Sequence, residues 1–573
     1  MSTYSTPLEI LTSRLRQGIQ EMGLPLDLGV VTSTANPRFG DYQTNAAMVA
    51  AKILQKNPRD LAREIIEHLQ VDDCCEAPTI AGAGFINFSL SKAFLETQIR
   101  ALSLDGRLGI AKTDHPKTII IDFSSPNIAK PMHVGHIRST ILGESLARIA
   151  RFLGHHVITD NHLGDWGTQF GKVIYGLKHL PAGKGLEEAP VQELVRLYRE
   201  VTALEEQSPT LKAKVREELV KLQHGDQENL ALWKKAVKLS WEEFEKHYEL
   251  LQISFDERLG ESFYHDALEP LVHRLLEQGI ATKSEGAVVI FFPNHPAFHD
   301  KPFLIQKSDG AFLYGTTDIA TLEYREARWH PDAVWYVCGS PQQLHFEQLF
   351  SVARILGLTS EFRHIAFGSI LGEDRKMMKT RSGDNIELGS LLQEAIDRAY
   401  SIVQEKNPNF PEEEKQEIAR IIGLGALKYA DLMQHRMTDY LFSWEKMLSF
   451  QGNTAPYLQN AYVRIRSLLR KQETQDTHAL GPMVLEEPTE RSLALQLLQI
   501  GEIIPTLLED ARPNILCLAL YELANKFHAF YEACPMLKAQ ESTKKSRLAL
   551  AALTGRMLQT GLELLGIQVP ERM

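Results

Sequence analysis

Cysteine is scarce and follows no pairing pattern: five occur in 573 residues, two adjacent (Cys74, Cys75) and three scattered (Cys338, Cys517, Cys534). No C-x-x-C pair is present, so neither a structural zinc site nor a disulfide framework is expected, and a reducing, cytoplasmic setting fits. Long apolar runs are also missing. Stretches such as residues 287–293 and 514–519 fall far short of the roughly 18 residues a membrane-crossing helix needs, and no membrane association is expected. The opening MSTYSTPLEILTSRLRQ has no basic start followed by an apolar run and a small-residue cleavage site, so no secretory signal is expected. Positive charge is in the minority, with 62 Lys and Arg against 73 Asp and Glu for a net charge of −11. That balance argues against a protein that coats nucleic acid through bulk electrostatics. Repeats and low-complexity tracts are absent, and 44% hydrophobic residues with 37 glycines and 26 prolines is ordinary globular usage. At roughly 150 residues per domain, the length has room for three or four domains.

What is present changes character along the chain. Residues 455–573 hold 13 basic and 13 acidic residues, so the negative balance lies wholly in residues 1–454 and a local basic face can form in the C-terminal block. Residues 1–112 combine helical spacing at Leu8, Leu11, Leu15 and Ile19, the turn-rich NPRFGDYQTN, a second helix over 46–70 and a strand at GFINF. This pattern predicts a small α+β domain. KTIIIDF, at residues 117–123, is a continuous β-branched run, as in a strand buried on both faces of a parallel sheet. The loop SSPNIAKPMHVGH follows, then helical spacing (Ile137, Ile141, Leu142, Leu146, Ile149, Leu153) that stops at Gly154, then a short strand in HHVITDN. Strand, long loop, helix and strand predict a Rossmann-like βαβ unit whose ligand lies beyond the C-terminal ends of the strands. Residues of about 186–255 read as inserted long helices. AVVIFF, FLIQ, AFLYG, AVWYV and IAFGSI read as further strands, and from Pro411 onward the signal is helical except at GNTAP and ALGPMVLEEPTE.

Two loops in this frame can carry chemistry. His133-Val-Gly-His136 opens the helix of the βαβ unit, where unpaired amides and the helix dipole favour phosphate. Two imidazoles there can donate to phosphate oxygens, and Gly135 lets a flat ring approach the backbone. The segment from Gly372 to Gly383 holds Arg375, Lys376, Lys379 and Arg381 between glycines, a cationic loop suited to neutralising a leaving pyrophosphate.

Read together, these loops resemble the His-x-Gly-His and Lys-Met-Ser-Lys-Ser signatures of class I aminoacyl-tRNA synthetases. NPRFGDYQTN, GFINF, SSPNIAKPMHVGHIRST, NHLGDWGTQFG, YGTTDIA, QQLHF, FSWEKMLSFQGNTAPYLQNAYVRI and VPERM narrow the resemblance to the arginyl-tRNA synthetase family. In the lysine signature Met378 and Thr380 stand where the family has serine, while both lysines, Lys376 and Lys379, are kept.

The resemblance implies a multidomain α/β protein. Its parts would be a tRNA-contacting α+β domain (1–112), a Rossmann-like parallel-sheet catalytic domain (113–410) with a helical insertion, a helical connector (411–454) and an all-α anticodon-binding domain (455–573). It implies ATP with Mg2+, L-arginine and tRNA(Arg) as partners, tRNA bound before activation, and a cytoplasmic monomer. It places His133, His136 and Gly135 on the ATP phosphates, and Lys379 on the leaving pyrophosphate with Lys376 and Lys130. A planar guanidinium is best read by a carboxylate; the resemblance offers Asp318, with Tyr314 and Gln342 beside it, and leaves Asp122 and Asn127 for the α-amino and carboxylate end. Asp318 as a helix cap near Thr317 is the alternative. Asp165, Trp166 and Gln169 either line the cleft or form a packed turn. Tyr457, Tyr462, Arg464 and Arg466 suit stacking and phosphate pairing on anticodon bases, or else divide between core and surface. The N-terminal domain resembles the family's added module that reaches the tRNA elbow, where Phe39 and Tyr42 either serve that contact or are no more than turn and core residues.

Overall fold

Five residues of the β-branched run form strand β1 (Thr118–Asp122), in which Ile119, Ile120 and Ile121 are essentially inaccessible to solvent. The expected βαβ unit is completed by helix α1 (Val134–Phe152) and strand β2 (His156–Asp160). Strands β3 (Ala333–Tyr336) and β4 (Glu361–His364) complete a parallel sheet of order β4-β3-β1-β2. The chain leaves β1 toward β2 on one side and returns at β3 on the other, so β1 and β3 flank the switch point where open α/β sheets bind ligands. The register sets Asp122 opposite both Asp160 and Tyr336, giving a row of three polar residues at the strand tips.

The structure, a computed structural model, describes residues 4–34, 36–181, 185–372, 374–376, 378, 386–471 and 483–573. It divides into two compact units: Thr113–Ser401 with Gln434–Trp444, and Met1–Lys112 with Ile402–Met433 and Glu445–Met573. The first is the sheet unit. Between β3 and β4 runs helix α3 (Gln343–Ile355), and before β3 runs helix α2 (Tyr314–Trp329). Ile120, Ile305, Ile319, Leu322, Val334, Leu349 and Val352 join their faces in one core. The insertion forms helices Pro190–Gln207, Pro209–Gln223 and Gln227–Leu251 after the short Gly185–Glu188. Ser208 caps the second of them ahead of Pro209, which takes the first helical position where its missing N–H costs nothing.

Four expectations for secondary structure are corrected. AVVIFF and FLIQ contribute strands, but to a separate antiparallel sheet of Thr282–Ser284, Ala287–Ile290 and Phe303–Gln306. AFLYG supplies only a bridge at Phe312 before α2 begins at Tyr314. In IAFGSI only two residues pair, Phe367 in an isolated bridge with Gly339 and Ile370 in the two-residue strand Ile370–Leu371 lying parallel to Tyr440–Leu441, and the edge of the main sheet is instead the polar EFRH of β4. The helix expected over 46–70 is two, Ala46–Leu54 and Pro58–Glu67, because Gln55 turns left-handed (φ 54°) and Pro58 cannot continue a helix begun before it.

The second unit joins both ends of the chain. A four-stranded antiparallel sheet (Thr32–Ser33, Tyr42–Thr44, Phe85–Phe88, Thr79–Ala81) and the helix Lys92–Leu104 meet the C-terminal segment, through an Arg491–Asp41 ion pair at 2.6 Å beside the sheet and a Leu485 N–H to Glu96 bond of 2.8 Å on that helix. The segment expected as a connector divides: Glu412–Leu432 is a helix of this unit, while Gln434–Trp444 belongs with the sheet. Tyr42 is buried, and its hydroxyl donates to Glu502, which also accepts the Leu8 N–H, each at 2.9 Å.

Burial pushes the Glu502 carboxyl up to about 7. A carboxyl whose pKa is higher folded than unfolded holds its proton more tightly in the fold. Its contribution is therefore greatest below the ordinary 4.5 and is lost as pH rises through about 7. The loss across that window is expected to approach ~3 kcal/mol, and Glu502→Gln, which keeps the acceptor oxygen, should flatten it. Urea denaturation of both proteins at about pH 5 and about pH 8 checks this.

Candidate active site

At the start of α1 the two histidines cap the helix reciprocally. The Gly135 N–H donates to His133 Nδ1 and the His133 N–H to His136 Nδ1, both at 3.1 Å. A ring nitrogen that accepts a backbone N–H cannot carry a proton, so both imidazoles carry theirs on Nε2. Burial lowers the pKa of both rings. His136 falls to about 3, with the neighbouring His133 adding to the effect, and Lys130 adds to the lowering at His133. The result is a pair of neutral N–H donors at a helix N-terminus, their ring centroids 4.0 Å apart. Gly135 is required by this cap, since a Cβ there would meet His133 Cε1 and Nδ1 at 2.9 Å. Gly135→Ala is therefore expected to displace the His133 ring and open the reciprocal cap, at a cost to the fold of about 1 kcal/mol that a thermal melt measures.

The loop leading to this cap is strained. Ser124, Ser125 and Ala129 have φ of 73°, 47° and 59°, three left-handed non-glycine residues within six. Such conformations persist where surrounding bonds over-determine them. The Ser124 N–H donates to Ser139 Oγ (2.9 Å), Ser124 Oγ shares a 2.7 Å bond with the Tyr248 hydroxyl, and the Ala129 N–H donates to Ser240 Oγ (3.1 Å). Tyr248 and Ser240 belong to the inserted helix Gln227–Leu251, so the insertion braces the loop. Sequence reasoning missed both, because one hydroxyl on a long helix leaves no periodic mark.

A cleft of about 1070 Å³ lies at this loop, walled by Asn127, Lys130, His133 and His136, by Arg196 and Arg199 of the insertion, and by Ile386, Glu387 and Ser390. Asn127 and Lys130 are exposed there. The chain that follows the lysine-rich loop is tied back to the histidine loop: the Val134 N–H donates to the Ile386 carbonyl (2.9 Å) and the Leu388 N–H to that of Met132 (2.8 Å). Lys376 is exposed in a tight turn, its carbonyl accepting the Gly372 N–H at 2.8 Å. Lys379 lies outside the described residues.

Around the switch point, Asp318 Oδ2 lies 2.6 Å from His345 Nε2, and the Tyr314 ring meets the His345 ring edge-on at 4.8 Å. Asp318 is the fifth residue of α2, whose cap is Leu313, so the capping alternative falls. Its side chain is 22% exposed, Tyr314 is 60% exposed, and Gln342 is exposed at the start of α3. Asp122 is buried at the tip of β1, accepting Ser125 Oγ (3.0 Å) and pairing with Arg325 (2.6 Å), a partner that sequence reasoning did not identify. Asp165 and Trp166 form the packed turn: the Asp165 carboxylate takes the Ser262 N–H and hydroxyl, and Trp166 Nε1 donates to His265. Asp122, Asp160 and His162 bring metal-ligating atoms together, but Arg325 already supplies the cation that bridges both carboxylates.

In the helical unit Tyr462 is 4% exposed, its hydroxyl on Gln559, and packs within the bundle. The Tyr457 hydroxyl donates to Asn525 (2.7 Å) and Arg466 pairs with Glu571. The Arg464 guanidinium lies 5.3 Å from the Tyr531 ring, beside a cavity of about 240 Å³ that Lys471 also lines.

Family comparisons agree with this geometry along the chain. Residues 98–444 match "tRNA synthetases class I (R), catalytic domain", residues 458–573 the "DALR anticodon binding domain" and residues 9–90 the "Arginyl tRNA synthetase N terminal domain". The arginine–tRNA ligase of Cellvibrio japonicus is 43% identical, over 99% of both chains. The crystal structure of the arginyl-tRNA synthetase of Plasmodium falciparum superposes with a TM-score of 0.83 at 30% identity over 100% of both chains. That of Thermus thermophilus gives 0.82 at 26% identity over 99% of this chain and 100% of that one. With neutral imidazole donors at the head of α1 beside the sheet's switch point, and matches at this depth, the chain belongs to the arginyl-tRNA synthetase family, class I ligases that activate L-arginine with ATP and charge tRNA(Arg) with it.

Proposed function

We propose a division of labour among the residues of this site, carried by one observation: two neutral imidazoles with Nε2–H free to donate at a helix N-terminus beside the cleft. The carboxylate of arginine attacks the α-phosphorus of ATP, forming the mixed anhydride arginyl-adenylate and releasing pyrophosphate. The terminal ribose hydroxyl of tRNA then displaces AMP from the arginyl carbonyl. Neither step needs a covalent nucleophile from the protein, so catalysis rests on positioning and on charge placed where it develops. His133 and His136 donate to the phosphates, with Gly135 keeping the His133 ring in place. Lys130, Lys376 and Lys379 neutralise the departing pyrophosphate, for which Mg2+ enters with ATP as part of the substrate. Asp318 pairs with the guanidinium, flanked by Tyr314 and Gln342, while Asp122 and Asn127 hold the α-amino and carboxylate end.

Arginine activation waits for tRNA. Residues 1–112 contact the tRNA body, and residues 455–573 read the anticodon, with Tyr457 and Arg464 on one side of their helix, Arg466 on the other, and Tyr462 supporting them from within. The reading extends to a cytoplasmic monomer, and among the described residues no helix is long and apolar enough to cross a membrane.

ATP–pyrophosphate exchange with each of the twenty amino acids, with and without total tRNA, tests the whole assignment. Exchange with arginine alone, and only with tRNA present, is expected. Exchange with another amino acid overturns the pocket, and exchange without tRNA overturns the ordering.

A further inference from the structure

Asp122 and Asp160 sit side by side on adjacent strand tips in register, where two carboxylates repel. One guanidinium stands between them. Arg325 Nη2 lies 2.6 Å from an oxygen of each, and its side chain is fully buried. Arg325 belongs to α2, the helix that also carries Tyr314 and Asp318. Positions 314, 318 and 325 fall on one stripe of a helix, at i, i+4 and i+11. The first turns of that stripe hold Asp318 against His345, and its third holds Arg325 against Asp122.

We propose that Arg325 is a positioning residue that sets the length of amino acid the site accepts. By clamping the tip of β1 to α2, it fixes the separation between the carboxylate at the α-amino end, Asp122, and the one at the guanidinium end, Asp318. This rests on the proposed reading of those two residues as the ends of the arginine site. Seven residues separate Asp318 from Arg325, about 10 Å along the helix axis, so slack in the Arg325–Asp122 pair passes directly into the span. Arg325 is buried and does not touch substrate. It acts through the two carboxylates, both held by its one Nη2, whose planar geometry fixes the direction of the two bonds where the ammonium of lysine would act as a freely rotating point charge.

The test uses the full chain with total tRNA and three probes: L-arginine and its guanidino homologues one methylene shorter and one longer. ATP–pyrophosphate exchange gives kcat and KM for each, and calorimetry gives affinity. Arg325→Lys is expected to lower the preference for arginine over both homologues about tenfold, through KM, with KM for ATP within about twofold, since one methylene in a fitted site is worth at least about tenfold. The charge-balanced pair Arg325→Met with Asp160→Asn removes one cation and one anion together and carries the test if the lysine variant does not fold. A purely structural role would lower kcat for all three probes alike and leave their ratios unchanged; that result overturns the proposal. Asp318→Asn separates the two readings. If it leaves arginine affinity unchanged, the pocket assignment fails; if it abolishes affinity while the Arg325 variants keep the wild-type ratios, only the length-setting role fails.

Discussion

Replacing Asp318 by asparagine is expected to lower kcat/KM for arginine in ATP–pyrophosphate exchange by about 10² to 10³, with nearly all of the change in KM and with KM for ATP held within about twofold. Asparagine keeps the size of the side chain and one acceptor oxygen, so the 2.6 Å contact with His345 can survive in altered form. What is removed is the charge. A guanidinium drawn out of water needs an anion with two oxygens in its plane, and truncating one partner of a desolvated pair costs about 3 to 5 kcal/mol, much of it from the charge left unpaired. A side chain 22% exposed sits toward the lower part of that range. His345→Ala should move arginine KM in the same direction by about tenfold, because it frees the carboxylate to rotate without neutralising it. Calorimetric titration that finds arginine bound equally well by the Asp318 variant removes this residue from the pocket.

These expectations join features of unequal visibility in the sequence. Strand β1 and helix α1 are legible because burial on both faces and 3.6-residue spacing are local patterns, and the glycine after α1 marks its end (Gly154, φ 93°). The histidine loop is legible as a motif and as a position between strand and helix. Strand β4 is not: at a sheet edge Glu361 is exposed and its neighbours are half-buried, so EFRH lacks the apolar texture that marks an interior strand, whereas the adjoining IAFGSI has that texture with pairing only at Phe367 and Ile370. Arg325 escapes for a different reason. A charged residue on an amphipathic helix reads as solvent-facing, and only a contact spanning 203 residues shows that it is the most deeply held cation of the site. The same holds for Tyr248, 124 residues from Ser124, and for the pairing of the chain's first and last segments through Asp41 and Arg491, 450 residues apart. Local pattern reports which face of an element is buried; it carries nothing about what that face is buried against.

His136→Ala tests the chemistry of the phosphate end. The neutral Nε2–H donor it removes stands at the helix N-terminus with its ring already fixed, because Nδ1 is engaged by the His133 N–H. A fixed donor contributes most where charge grows between ground and transition state, and loss of one such donor typically costs 10² to 10³ in kcat. The variant is therefore expected to slow arginyl-adenylate formation about 10³-fold while arginine KM changes less than about threefold. It also loses one half of the reciprocal cap, a cost to the fold of about 1 kcal/mol that a thermal melt registers separately from the rate. The sign of the pH dependence follows from the same geometry. A histidine whose pKa is lowered in the fold is neutral above that value and gains charge only as pH falls through it, and for His136 this lies near 3. Exchange by the wild-type protein should thus show no inflection from this residue between about pH 6 and about pH 8, where a free imidazole titrates. Donation by a neutral ring and donation by an imidazolium are separated here. An inflection near pH 6.5 in the wild-type rate that disappears in the His136 variant assigns the role to a charged ring and overturns the neutral-donor reading; a flat profile in both, with the 10³-fold gap preserved across it, is the signature of a dipolar donor held in place by the backbone of its own helix.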